Sequence, residues 1–199
     1  EFQDSLGVFP GFDLENKRWQ LNVKYKLNKF ITVDFGKGKH FIGNGYRSLL
    51  LSSEHSPYPY LKLTTEFGRV KYYNLYTTFL DIQNPNQNRK KHASIHFLDF
   101  QLTHNINIGV FEGVLWQAKN ENQNRGYDVE YLNPIIFYRP VEFSKNSPDN
   151  VLMGANFNAK FDKTILYGQA LLDDLNIARQ KDATNNDNDG FFQNKFAYQ

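Results

Sequence analysis

No cysteine occurs among the 199 residues. Disulfides and thiolate chemistry are therefore excluded, and the redox character of the compartment is left open. The chain also lacks any run near the roughly 18 consecutive apolar residues that a membrane-spanning helix requires. The nearest, Leu49 to Leu51 and Leu132 to Tyr138, are soon broken by polar residues. If this protein crosses a bilayer, strands must carry it. An excess of one charge is missing too: the formal net charge is +2, with basic and acidic residues interspersed. That balance gives no footprint for nucleic acid.

Motifs for cofactors and metals are equally scarce. No HExxH occurs. Gly38 and Gly43 match the first glycines of a phosphate-binding loop, but Asn44 stands where its lysine belongs, and no Gly-x-Gly extends into a dinucleotide fingerprint. His92 and His96 have helical i, i+4 spacing; on a strand they stand about 13 Å apart, too far to share one metal ion. No cofactor is expected.

What the chain does have is aromatic residues and alternation. Aromatics make up 16%, with 18 Phe, 12 Tyr and 2 Trp, as girdles at the two membrane interfaces of a barrel would require. Val151 to Asp162 reads VLMGANFNAKFD, with Val151, Met153, Ala155, Phe157, Ala159 and Phe161 on one parity and mostly polar residues on the other. On a strand successive side chains face opposite ways, so this segment has one apolar and one polar face along its whole length. It is longer than the usual strand of about five or six residues and meets the roughly 9–11 needed to cross a bilayer at a tilt. Trp19 to Leu27 repeats the pattern, with Trp19, Leu21, Val23, Tyr25 and Leu27 on one face.

Short connections punctuate these strands: Asn28-Lys29, Gly68-Arg69, His104-Asn105 and Lys163 join Phe30 to Phe35, Tyr60 to Phe67, Val70 to Asp81, Ala93 to Thr103, Ile106 to Ala118 and Thr164 to Leu172 into hairpins. Other connections are long, charged and rich in Asn: 83–91, 119–126 and 178–190. Short turns on one side and long loops on the other are what periplasmic and extracellular ends of a barrel produce. The fold expected is all-β, an antiparallel transmembrane β-barrel forming one domain over residues 1–199, with 1–17 as a lead-in. A soluble antiparallel sheet with uneven loops is the alternative. Open edges are not tolerated in lipid. The strands countable here therefore close only as a small barrel or with further sequence, and the second is expected.

Several segments go beyond periodicity: FIGNGYRSLLLSSEHSPYPYLKL (Phe41 to Leu63), FEGVLW (Phe111 to Trp116), YLNPIIFYRPVE (Tyr131 to Glu142), DNVLMGANF (Asp149 to Phe157) and LYGQALLDD (Leu166 to Asp174). In this order, from about Asp34 to Gln199, the chain resembles the capsule-assembly Wzi-like family of outer-membrane β-barrels, most closely its gliding-motility RemB branch. The family's N-terminal segment and remaining strands are not included. The resemblance implies a bacterial outer-membrane protein that is not an enzyme. Its partners would be outer-membrane lipid and either surface polysaccharide, held in a lectin-like way, or motility and adhesion proteins. A passive pore and a polysaccharide-processing enzyme are the other readings.

Candidate sites follow from residue chemistry. Tyr46, Tyr58, Tyr60, Tyr131 and Tyr138 offer aromatic faces to sugars, with Arg47 and Arg139 as cations beside them. For the arginines a structural ion network of Arg47 and Arg139 with Glu112, Glu142, Asp173 and Asp174 is the expected role, since charges inside a barrel must be paired or hydrated. Asn133-Pro134 and Arg139-Pro140 interrupt any ladder and mark a folded-in loop. Glu112 with Glu142, or Asp173 with Asp174, would be the carboxylates of a glycosidase, which needs two acids across one bond. Residues 185–190 approximate a calcium loop through Asp187 and Asp189, but Phe196 stands where the bidentate acid belongs. A solvated loop is expected there.

Overall fold

The computed structural model describes residues 7–8, 19–81, 89–120, 123–124, 126–134, 149–173 and 195–198. They form β1 (Gly7–Val8), β2 (Leu21–Lys26), β3 (Ile31–Gly38), β4 (Tyr58–Phe67), β5 (Val70–Asp81), β6 (Arg89–Gln101), β7 (Ile106–Gln117), β8 (Lys119–Asn120), β9 (Gln123–Asn124), β10 (Asn150–Phe161), β11 (Thr164–Asp173) and β12 (Lys195–Tyr198). One 3-10 turn, Val129–Leu132, interrupts them. Apart from the small β8-β9 hairpin, the strands make one ten-stranded antiparallel sheet in chain order, β1 through β7 followed by β10, β11 and β12. No helix among the described residues is long and apolar enough to cross a membrane.

The expected all-β, antiparallel class is therefore observed. Closure into a barrel is not: among the described residues β1 pairs only with β2 and β12 only with β11, leaving the sheet open. The tight turns fall where the sequence places them. The Asn28 side chain accepts from the Phe30 and Ile31 amides at 2.8 and 2.9 Å and closes β2 on β3, an Asx turn. Gly68 takes φ +59 between β4 and β5, the left-handed geometry that glycine adopts without penalty. Two expectations shift. Residues 89–91 belong to β6, because β5 runs on to Asp81 and its ladder pairs Asp81 with Arg89. The lead-in contributes the short β1, paired with Val23 and Lys24.

Directly paired residues of an antiparallel ladder share a face, so the registers sort the side chains. One face carries Lys24, Asp34, Lys62, Lys71, Asp99, Asn156 and Gln169; the other carries Leu21, Val23, Phe35, Leu61, Val110, Phe157 and Leu166. The first face also carries Leu75, Ile95, Phe97 and Phe111, and the second Asn74, Ser94, His96 and Glu112. Asn156 and Gln169 are 3% and 4% exposed, whereas Phe157 beside them is 42% exposed and Trp19 43%. No second sheet covers the apolar face among the described residues.

Two long connections fold back onto opposite faces. Residues 40–56, the strap between β3 and β4, lie on the polar face, where Ile42 and Leu50 pack with Tyr58, Tyr60, Leu75, Ile95, Phe97 and Phe111. Residues 126–134 lie on the other face, over β5, β6 and β7. There Tyr127 and Tyr131 pack on Val114, Trp116, Val151 and Met153.

Candidate functional site

The strap is anchored to strands more than a hundred residues away. The Asn44 amide donates to Asn156 Oδ1 at 2.9 Å, and the Leu49 amide to Gln169 Oε1 at 2.8 Å. Gln169 Nε2 donates to the Asn44 carbonyl and to Asn156 Oδ1, both at 3.2 Å. Ser48 Oγ donates to the Ile42 carbonyl, and an antiparallel bridge joins Ile42 to Leu51. Side-chain amides thus stand in for a missing strand, satisfying backbone groups that would otherwise be orphaned.

Two glycines let the strap come so close. Gly43 and Gly45 have φ of +114 and +120, conformations that other residues adopt only with strain. A Cβ on Gly43 would collide with the Gln169 amide, and one on Gly45 with the Tyr167 ring. The Gly-Asn-Gly of the sequence is a docking segment. Just beyond it Tyr46 stands 87% exposed, with the Arg47 guanidinium 6.0 Å from its ring centre.

Between the strap and the sheet lies a cavity of about 220 Å³, lined by His40, Asn44, Lys62, Tyr73, Phe97 and Asp99 among others. Lys62 stands across from Asp34 in the β3-β4 register, yet Asp34 accepts the Tyr60 hydroxyl at 2.8 Å. The Lys62 ammonium lies 5.7 Å from the Tyr73 ring centre. Lys71 on the next strand, by contrast, pairs with Glu66 at 2.7 Å. Asp99 Oδ1 is shielded from solvent without a hydrogen-bond donor. Tyr73 and Phe97 stack, their ring centres 6.1 Å apart and 18° between planes.

His40 closes one end. Its Nδ1 lies 3.2 Å from the Tyr58 hydroxyl, and its ring meets Tyr60 edge-on at 4.1 Å. Burial, reinforced by the positive charge of Lys62, lowers its pKa from 6.5 to about 4. His40 is therefore neutral at neutral pH.

The second cover is built by main-chain acceptors. Ser94 Oγ donates to the Tyr131 carbonyl at 2.7 Å and the Tyr76 hydroxyl to the Leu132 carbonyl at 2.9 Å. The Tyr72 hydroxyl and Asn74 amide both donate to the Pro134 carbonyl, at 2.6 and 3.2 Å. Beneath this cover His96 and Glu112 face each other across β6 and β7, both fully buried. With Asn74 and Ser94 they form a polar patch on the face that carries Val110 and Phe157, and the cover lies over it. Burial also raises the Tyr127 pKa.

The tyrosines expected to line one site are thus divided. Tyr58 and Tyr60 are core residues under the strap, and Tyr131 is 0% exposed with its hydroxyl on Asp149 at 2.7 Å. None of the three presents a free ring face to a sugar: the strap packs over Tyr58 and Tyr60, and Tyr131 packs from its own connection onto Val114, Trp116 and Val151. Tyr46 and Arg47 remain exposed. The ion network is not one set: Glu112 lies on the apolar face and Asp173 on the polar face, and the sheet separates Glu112 from the strap that carries Arg47. Likewise Asn133 and Pro134, the described part of the expected folded-in loop, lie on the face opposite the strap. Tyr138, Arg139, Glu142, Asp174, Asp187 and Asp189 lie outside the described residues.

His40, Lys62 and Asp99 were not legible as site residues. They are spread over three elements, and only the registers and the strap bring them to one cavity. No cluster able to hold a metal occurs among the described residues. Compared with known protein families, with curated proteins and with solved structures, the chain matches none.

Proposed function

We propose that this chain is part of a bacterial outer-membrane β-barrel, of the Wzi-like kind and nearest its gliding-motility branch, that holds a cell-surface polysaccharide without chemically altering it. The observation that carries this reading is the pattern of exposure on the sheet, with Phe157 and Trp19 exposed while Asn156 and Gln169 are buried. Exposed apolar side chains such as Leu21, Phe35, Leu61, Val110, Phe157 and Leu166 on one face mark a membrane or interaction surface, and apolar-out, polar-in alternation is the pattern of a barrel wall. β5, β6, β7 and β10 have 12, 13, 12 and 12 residues, more than the roughly 9–11 that a tilted crossing needs. In this reading the polar face lines the lumen and the strap lies inside it. Tyr46 and Arg47 at the strap's tip offer a ring and a cation to a passing sugar chain.

A passive pore is the competing reading, and a strap crossing the polar face argues against it. The test is fractionation of cells that produce the whole protein, followed by retention of it on immobilised surface polysaccharide. Recovery in the outer membrane, a heat-dependent gel shift and retention on the polysaccharide are expected. Recovery as a water-soluble protein would overturn the barrel. Outer-membrane insertion without retention, in a deletion strain that spreads poorly but keeps its surface polysaccharide, would move the role to motility and adhesion.

A further inference from the structure

We propose that the tight-turn edge of the sheet binds the headgroups of anionic phospholipids through Lys29, Arg69 and Lys163. The inference rests on the barrel reading above, in which this end faces the periplasm, and adds the lipid chemistry that it selects. Four hairpin turns stand side by side here, at residues 27–30, 68–69, 102–105 and 162–163. Main-chain bonds between successive hairpins hold them level: the Glu66 amide donates to the Phe30 carbonyl at 2.8 Å, the Gln101 amide to that of Arg69 at 2.9 Å and the Lys160 amide to that of Asn105 at 2.8 Å. They make one edge, with successive turns roughly 10 Å apart, two strand spacings.

Three of the four turns carry a cation, and the fourth carries His104. Asp162 is the one carboxylate among these turn residues. Lys29, Arg69 and Lys163 are exposed, and none makes an ion pair among the described residues; Glu66, at the end of β4, is held by Lys71 at 2.7 Å. Arg69 Nη1 reaches along the edge to the Leu102 carbonyl at 3.4 Å. The edge thus has an excess of positive charge.

What points to lipid lies directly behind the cations. Tyr25, Phe67 and Phe161, the last outward positions of β2, β4 and β10, are exposed on the face that carries Phe157. Lys29 Nζ lies 4.7 Å from the Phe30 ring centre, and Phe30 meets Phe67 at 5.4 Å. Rings that end an apolar band mark the headgroup level of a bilayer, and cations beside them sit where lipid phosphates lie. Turns of two to four residues extend little beyond that level, so an acidic polymer of the cell wall is the poorer match. A zwitterionic lipid brings its own ammonium against the same cations.

The experiment counts lipids bound to the whole protein purified in detergent, by native mass spectrometry, with phosphatidylglycerol and phosphatidylethanolamine of equal chain length as probes. Phosphatidylglycerol is expected to bind at least about tenfold more tightly at low salt, below the sum of three cations at about fivefold each, and the preference should shrink as salt rises. The triple variant Lys29→Gln, Arg69→Gln, Lys163→Gln should lose it, and Lys29→Arg, Arg69→Lys, Lys163→Arg should keep it, with the heat-dependent gel shift reporting folding. Should the glutamine variant fail to fold, the three single glutamine variants decide, each expected to weaken the preference. Equal binding of the two lipids, or a preference that survives the glutamine variant, overturns the assignment. So does tighter binding of lipid A or of soluble cell-wall fragments that is lost in that variant, since it gives the edge another occupant. Outer-membrane insertion without headgroup preference overturns this edge alone, whereas recovery as a water-soluble protein overturns the barrel with it.

Discussion

Asn156 and Gln169 face each other across β10 and β11, joined at 3.2 Å, and together hold the backbone of a strap more than a hundred residues earlier in the chain. The pair is polar and buried on a sheet whose exposed neighbour is Phe157. Their position ties the polarity of the sheet to the docking of the strap.

Removing one member tests that tie. Gln169→Leu leaves the Leu49 amide and the Asn44 carbonyl without their partners, and each unsatisfied buried group costs about 1–3 kcal/mol. We expect the strap to detach while the sheet persists. Limited proteolysis should then cut within residues 43–53 faster than in the unmodified protein. Unchanged protection would mean that the apolar contacts of Ile42 and Leu50 suffice.

Gly154 gives a steric version of the same test. A Cβ there meets Leu50 Cδ2 at 2.5 Å and the Ala170 carbonyl at 3.0 Å, whereas at Gly113 the nearest atoms are at 3.4 to 3.6 Å. Gly154→Val should cost about 1–3 kcal/mol through overpacking, and Gly113→Ala should be nearly neutral. Urea unfolding of both variants checks the contrast, and equal midpoints would count against the packing described.

Acid should loosen the strap through His40. In the folded protein its pKa is lowered from 6.5 to about 4 by burial, and Lys62 also repels its positive charge. The unfolded chain therefore takes up this proton as pH falls through 6.5, and the folded protein does not until about 4. Stability from neutral His40 is full above 6.5 and is lost across that window, by up to about 3 kcal/mol. Asp34, which opposes the shift, and His55, which adds to it, share this surrounding. Urea midpoints at pH 7 and 4.5 should differ by more in the unmodified protein than in His40→Gln.

Charge on each face separates lipid from water as the medium. Phe157 and Asn158 are neighbours on β10 that point to opposite faces. A lysine on the lipid side of a barrel costs about 2–4 kcal/mol at mid-membrane. Phe157→Lys should therefore lower folding into bilayers, read by the heat-dependent gel shift, and Asn158→Lys should not. A water-soluble sheet would tolerate Phe157→Lys.

The cover of residues 126–134 depends on Tyr131. Tyr131→Phe removes the hydrogen bond to Asp149, at about 1.5–3 kcal/mol, the scale of a hydrogen bond to a charged group. Thermal melting should shift downward while polysaccharide retention stays unchanged. A loss of retention would place this cover in the binding surface.

The strands and their turns were readable locally. Alternation over Val151 to Asp162 and a turn residue such as Asn28 or Gly68 act within a few positions, and every tight turn named from sequence joins the strands it was expected to join. Burial of Tyr58, Tyr60 and Tyr131 was not readable, because it depends on connections that pack from outside the strands. A tyrosine at the start of a strand looks the same in sequence whether a strap covers it or a sugar does.

From the sequence alone came the β class, the antiparallel hairpins and the division of each strand into two faces, since period-two alternation is a property of the extended backbone itself. Only the tertiary structure decided that the strap lies on the polar face and residues 126–134 on the other, and that Lys62, Asp99 and His40 meet at one cavity. Those placements come from contacts between residues far apart in the chain, such as Asn44 with Asn156. Local pattern carries no information about them, because their free energy exists only once the sheet has brought the partners within reach.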